Sequence, residues 1–126
     1  MPHFSEKSEV NLAQCHNDLQ IIFNEVIKHV DCSVLCGQRG EKDQNEAYRS
    51  GKSRLEFPQS KHNKVPAMAV DVVPYPIDWN NNERFIRFGE FVLGVASTLY
   101  DLNMIENKIS WGGDWQKFKD MPHFEI

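Results

Sequence analysis

One carboxylate limits what this chain can become. Asp71 lies inside Met68-Ala69-Val70-Asp71-Val72-Val73, a short β-prone run that is otherwise apolar. The two-residue period of a strand places Ala69, Asp71 and Val73 on one face and Met68, Val70 and Val72 on the other. Desolvating an unpaired Asp is costly, so Asp71 ends the strand, is hydrogen-bonded, or binds a cation. A second segment near the C-terminal end has the same character. Pro122 argues against a helix there, so His123-Phe124-Glu125 reads as a strand with His123 and Glu125 on one face, and Asp120 just ahead where a turn can aim it. A third residue, His62, sits in the polar stretch Ser60-Lys61-His62-Asn63-Lys64, which can loop back over the Asp71 strand.

Two imidazoles and a carboxylate on strand-like scaffolding are what a catalytic zinc ion needs, because three protein ligands leave a fourth position for water. On this reading His62, Asp71 and His123 are the metal ligands. Other first-row metals also accept such a donor set.

These residues, in this order, resemble the zinc peptidases that cut peptidoglycan stem peptides: Ser60-x-His62, Ala69-x-Asp71 and the closing Asp120-x-x-His123. That family includes D-alanyl-D-alanine carboxypeptidases and dipeptidases, and the L-alanyl-D-glutamate endopeptidases of phage endolysins. The likeness extends to Gly37-Gln38-Arg39, Gln44, Tyr48 and Gly51-Lys52-Ser53 upstream, and to Trp111-Gly112-Gly113-Asp114-Trp115 downstream, so it covers residues 35 to 126. Two departures stand out. The interval from His62 to Asp71 is two residues longer than the commoner family pattern, which preserves strand parity, and Asp120 stands where carboxypeptidase-type members carry Glu, as in the endolysin branch. The resemblance implies a zinc hydrolase in which Asp120 is the general base and acid, Arg39 stabilises the oxyanion, and Ser60, Asp114 and Trp115 contact substrate. It implies a peptidoglycan stem peptide as the partner and L-alanyl-D-glutamate as the scissile bond. The alternatives are terminal D-alanine removal by the same centre, or a zinc-containing domain of this fold that binds without hydrolysis.

The rest of the chain is compatible with that reading. Its 126 residues form one domain with enough chain for a real core. A net charge of -4 gives no electrostatic reason to expect nucleic acid or an anionic membrane. No apolar run is long enough to span a bilayer, and Met1 to Lys7 lacks the pattern of a secretory signal. A monomer with no appended wall-binding module is expected, and the resemblance implies that a phage holin releases it from the host cytoplasm. Cys15, Cys32 and Cys36 are odd in number and lack C-x-x-C spacing, so all three read as small core residues.

The expected architecture is α+β, with three helices packed on a small, mainly antiparallel sheet. A first helix over about 8–30 carries Leu12, Cys15, Leu19, Ile22, Val26 and Val30 at helical spacing. A strand near 33–36 ends at Gly37 and leads to Arg39, whose fixed fork suits a carboxylate or a developing oxyanion. A polar helix over 41–50 stops at Gly51. A third helix over 83–102 shows a broad apolar face, with Gly89 and Gly94 permitting close approach and Trp79 packing nearby. The remaining strands fall near 68–73, 109–111 and 123–125. Gly51-Lys52-Ser53 superficially matches the tail of a phosphate-binding loop, but the upstream glycine is missing and no strand precedes it.

Overall fold

The computed structural model describes residues 2–126 and is α+β. In chain order it contains α1 (Glu6–Ala13), α2 (Asn17–Val26), β1 (Cys32–Cys36), α3 (Glu41–Arg49), β2 (Ala69–Pro74), α4 (Asn82–Asp101), β3 (Ser110–Trp111) and β4 (His123–Glu125). Two 3-10 turns, Lys61–Asn63 and Gly112–Asp114, precede β2 and β4 respectively. The four strands are antiparallel in the order β1-β2-β4-β3, which sets β2 and β4 side by side at the centre.

The expected first helix is two. Its apolar period continues from Leu12 to Leu19, Ile22 and Val26, all buried in one core, but the backbone leaves the helix at Gln14–His16 to pair elsewhere. Ala67 N donates to Gln14 O at 3.0 Å and His16 N donates to Ala67 O at 2.9 Å. The new helix start needs a cap, and His16 supplies it by accepting from Asp18 N through Nδ1 at 3.0 Å. Periodicity reports which face is buried; it is blind to a tertiary bridge that borrows the backbone.

Helix α1 then covers the outer edge of the sheet. Val34 N donates to Ser8 Oγ at 3.0 Å and Asn11 Nδ2 donates to Val34 O at 2.8 Å, so polar helix side chains satisfy strand groups that would otherwise be open to another chain. Helix α4 lies on the apolar face of the sheet beside α2. Gly89 is required there because a Cβ would lie 2.3 Å from the Trp111 ring, whereas Gly94 faces open space and provides no close approach. Trp111 is a core corner: it is buried, donates from Nε1 to Met121 O at 2.7 Å, and stacks on Phe124. Trp79 is more than half exposed and only stacks against Phe85, so its expected packing role is a surface one. α3 stops as expected, with Gly51 at φ +83.

Candidate active site

Strand alternation sorts β2 into two chemistries. Val70 and Val72 point into the core with Val34 and Phe124, while Asp71 points from the opposite face in the middle of the strand, not at its end. Directly across from it in β4 is His123, and directly across in β1 is Cys36. The second pairing comes from a bulge between Val34 and Cys36. An unbroken ladder would set Leu35 opposite Asp71. The extra residue leaves Leu35 exposed and brings Cys36 into its place, a re-aiming that bulges next to active sites commonly perform.

His62 arrives from the 3-10 turn, whose capping box makes it rigid. Ser60 Oγ accepts from His62 N at 3.2 Å, and Asn63 Oδ1 accepts from Ser60 N at 3.0 Å. The longer interval before Asp71 is absorbed by a loop with Val65 at its exposed tip, closed by a bond from Met68 N to Lys61 O at 3.0 Å. The ring's Nδ1 lies 2.8 Å from Gly37 O, so it carries the proton and leaves Nε2 free. That Nε2 is 3.3 Å from Asp71 Oδ1. On the other side, His123 Nε2 is 2.7 Å from Glu125 Oε1 and its Nδ1 is 3.4 Å from the same Asp71 oxygen. The two rings lie edge to face with centroids 5.2 Å apart.

These distances test whether the residues suit a metal. Charge-assisted N–H···O contacts run about 2.7–2.9 Å, shorter than the 3.3 and 3.4 Å separations seen here. Ligand atoms at the corners of a tetrahedron with bonds of about 2.0–2.1 Å lie about 3.3–3.4 Å apart. Each imidazole nitrogen thus stands at ligand spacing from the shared carboxylate oxygen, and Asp71 joins two groups able to hold a cation, one with Cys36 and His62 and the other with Asp120 and His123. With no cation between them a proton can take its place, and the groups then hold one another in charged form. Burial disfavours an imidazolium at His62, yet Asp71 and then Cys36 bring its pKa up to about 10. Burial likewise opposes the Asp71 carboxylate, and the two histidines outweigh it, holding Asp71 well below the usual range. The site is an electrostatic sink for positive charge.

Around this trio stand the other expected residues. Asp120 Oδ2 is 4.0 Å from His123 Nδ1, and its backbone is clamped under Gly112, where a Cβ would meet Asp120 O at 2.3 Å. Burial and the Asp71 charge raise its pKa, against His123, His62 and Arg39. Arg39 Nη2 is 3.6 Å from Asp71 Oδ2. Its other amino group donates to Gln44 Oε1 at 3.0 Å, and Gln44 is wholly buried, also receiving Asn63 and donating to Leu55 O. Trp115 tilts against the His123 ring at 5.0 Å. Ser60 is buried as the cap of the His62 turn, and Asp114 is exposed at the end of the second turn.

Sequence reasoning missed two residues here. Cys36 is no core filler: it is half-buried, with Sγ 3.8 Å from His62 Nδ1 and 3.6 Å from Arg39 Nη2, whereas Cys15 and Cys32 are buried as expected and burial pushes each thiol up to about 12. Only the bulge could have moved Cys36 out of the core group, and a bulge leaves no spacing signal. Strand alternation places Glu125 on the His123 face without giving it a role. Glu125 accepts from His123 and pairs with Lys61 Nζ at 3.1 Å, and these partners hold it below the usual range. A concavity of about 700 Å³ between α2 and α4 shares no residue with this cluster.

The pattern of the family described as phage L-alanyl-D-glutamate peptidase matches residues 1–125. The chain is 26% identical over 114 residues to the peptidoglycan L-alanyl-D-glutamate endopeptidase CwlK of Bacillus subtilis (strain 168), a match covering 79% of this chain and 62% of that protein. It thus spans less than two thirds of that relative's length. The crystal structure of the Serratia marcescens L-Ala D-Glu endopeptidase ChiX matches with a TM-score of 0.73 and 27% identity, over 99% of this chain and 90% of that one.

Proposed function

Because the chain belongs to the phage L-alanyl-D-glutamate peptidase family, we propose that it is a zinc peptidase that hydrolyses the L-alanyl-D-glutamate bond of peptidoglycan stem peptides. The observation that carries this reading is the set of three inward-facing donor atoms on His62, Asp71 and His123, with the Asp120 carboxylate beside them. Residues 1–126 act as one catalytic domain and as a monomer. The biological setting we infer is lysis of a phage host, with the protein kept in the cytoplasm until a holin lets it reach the wall.

Zinc bound by the trio supplies a Lewis acid and lowers the pKa of water towards about 7. The chain's own residues do the rest. Asp120 takes a proton from the attacking water and passes it to the D-glutamyl amine as the C–N bond breaks and the new C–O bond forms. Arg39, braced by buried Gln44, presents guanidinium N–H groups to the scissile carbonyl oxygen as negative charge develops. Trp115, leaning on His123, offers a flat wall for the peptide. Asp114, exposed beside it, is a hydrogen-bonding candidate for substrate, while Ser60 acts through the His62 turn that it caps.

The test is mass spectrometry of Gram-negative peptidoglycan digested with and without a chelator. Chelator-sensitive peptides with a new N-terminal D-glutamate are expected. Release of D-alanine alone would assign the carboxypeptidase reaction, and intact wall in the presence of bound zinc would leave a binding domain.

A further inference from the structure

The two histidines of the site are held at their outer nitrogens by different means. His62 Nδ1 is fixed by a main-chain carbonyl, that of Gly37, at 2.8 Å. His123 Nε2 depends on a side chain, Glu125, at 2.7 Å, and that carboxylate is itself held: its second oxygen lies 3.1 Å from Lys61 Nζ. Lys61 is the residue before His62, and its Nζ also donates to the main-chain oxygen of Ile126 at 2.9 Å. A continuous chain of contacts therefore runs from one histidine-bearing segment to the other, Lys61 to Glu125 to His123, on the side of the rings turned away from Asp71.

We propose that Glu125, held by Lys61, is a positioning residue that fixes the His123 ring with Nδ1 turned towards Asp71 and His62. The reasoning is geometric. An imidazole that donates from Nε2 keeps its lone pair at Nδ1, the nitrogen 3.4 Å from Asp71 Oδ1. A ring without that partner is free to flip or to carry its proton on the inward nitrogen. A carboxylate behind a metal-binding histidine also raises its basicity, and losing such a partner weakens metal binding about 10- to 100-fold. Lys61 acts one step further out. It prevents the Glu125 carboxylate from swinging to solvent, and because the pair is partly exposed its effect is smaller and falls with salt.

This inference rests on the metal-site reading above, so the experiment separates the two. Metal-free wild type, Glu125→Ala, Glu125→Gln and Lys61→Met are titrated with cobalt(II), followed by the visible absorption bands, and zinc affinity is measured by competition with a chelating dye. Thermal melting of each metal-free protein reports the fold. Glu125→Ala is expected to weaken zinc about 10- to 100-fold and to alter the cobalt bands while the metal-free melting temperature changes little. Glu125→Gln, which still offers an acceptor oxygen, falls between it and wild type, and Lys61→Met shows a few-fold loss that disappears in high salt. Should Glu125→Ala fail to fold, Glu125→Gln and Lys61→Met carry the test through the same two readouts. Wild-type affinity and an unchanged spectrum in the Glu125 variants would overturn the positioning role alone. A wild-type protein that takes up neither ion would overturn the metal site and this role together.

Discussion

Strand β2 has two faces, and they divide the labour of the molecule. Val70 and Val72 on one side are fully buried among Val34, Phe124 and the helices. Asp71 on the other side, with His123 and Cys36 across from it, gathers the titratable groups of the site, with Trp115 against the His123 ring. The two faces are separated by the thickness of one backbone. What differs is the origin of order: dense apolar packing holds the first face, and it supplies the stability that lets the second keep like and unlike charges in a geometry no isolated loop would hold.

That division can be broken most severely on the polar side. Asp120→Ala is expected to lower kcat/KM on wall peptides by about 10²–10⁴ while zinc binding and melting temperature stay close to wild type. Activity that survives would remove Asp120 from proton transfer. On the apolar side, Phe124→Ala is expected to cost about 3–5 kcal/mol of stability, because Phe124 packs against Phe23, Phe88 and Trp111 at once. Denaturant unfolding measures it, and a loss under about 1 kcal/mol would mean that the sheet face is less tightly packed than it looks. Neighbours in the same strand sharpen the contrast. Asp71→Asn should abolish tight zinc binding with the fold retained, whereas Val72→Ala should cost about 2 kcal/mol and leave zinc affinity alone; paired chelator titrations and melts separate them, and equal effects on both readouts would dissolve the distinction.

A smaller effect comes from a carboxylate that serves only the fold. Asp18 is buried and its Oδ2 accepts from Glu106 N, Asn107 N and Asn107 Nδ2 at 2.8–3.0 Å. Burial alone would raise its pKa; the Asn107 and Glu106 donors outweigh that and lower it. With the folded-state pKa below the unfolded value, its contribution is present above the ordinary carboxylate pKa of about 3.9 and is lost as pH falls through the folded value. Asp18→Asn is therefore expected to cost about 1–3 kcal/mol at neutral pH and less in strong acid. A deficit that stays constant with pH would show that the charge is irrelevant. The mildest change is Gly94→Ala in α4, where open space awaits the methyl; it should stabilise by up to about 1 kcal/mol, while Gly89→Ala collides with Trp111 and destabilises.

Much of this was legible beforehand because it follows from short-range rules. The strand alternation at 69–73 and the Pro-limited segment 123–125 put Asp71, His123 and Glu125 on definable faces, and the order of Ser60, His62, Asp71, Asp120 and His123 carried the family resemblance. Residues whose roles depend on a break in regularity were not legible: the bridge at Cys15 that splits the first helix, the bulge that delivers Cys36, and the burial of Gln44 behind Arg39. The pairing of Lys61 with Glu125 belongs to the same group, since it depends on β4 lying beside the His62 turn.

The sequence by itself determined the α+β class, the apolar and polar faces of β2, and which side chains hold the candidate chemistry, because periodicity and side-chain chemistry are local properties of the chain. Only the tertiary structure decided which nitrogen each histidine turns inward, and that Glu125 and Lys61 stand behind one of them. The His62 ring is set by the Gly37 carbonyl, 25 residues away, and Lys61 reaches the β4 segment from more than sixty residues away, through geometry that strand pairing and packing fix and that leaves no trace in spacing.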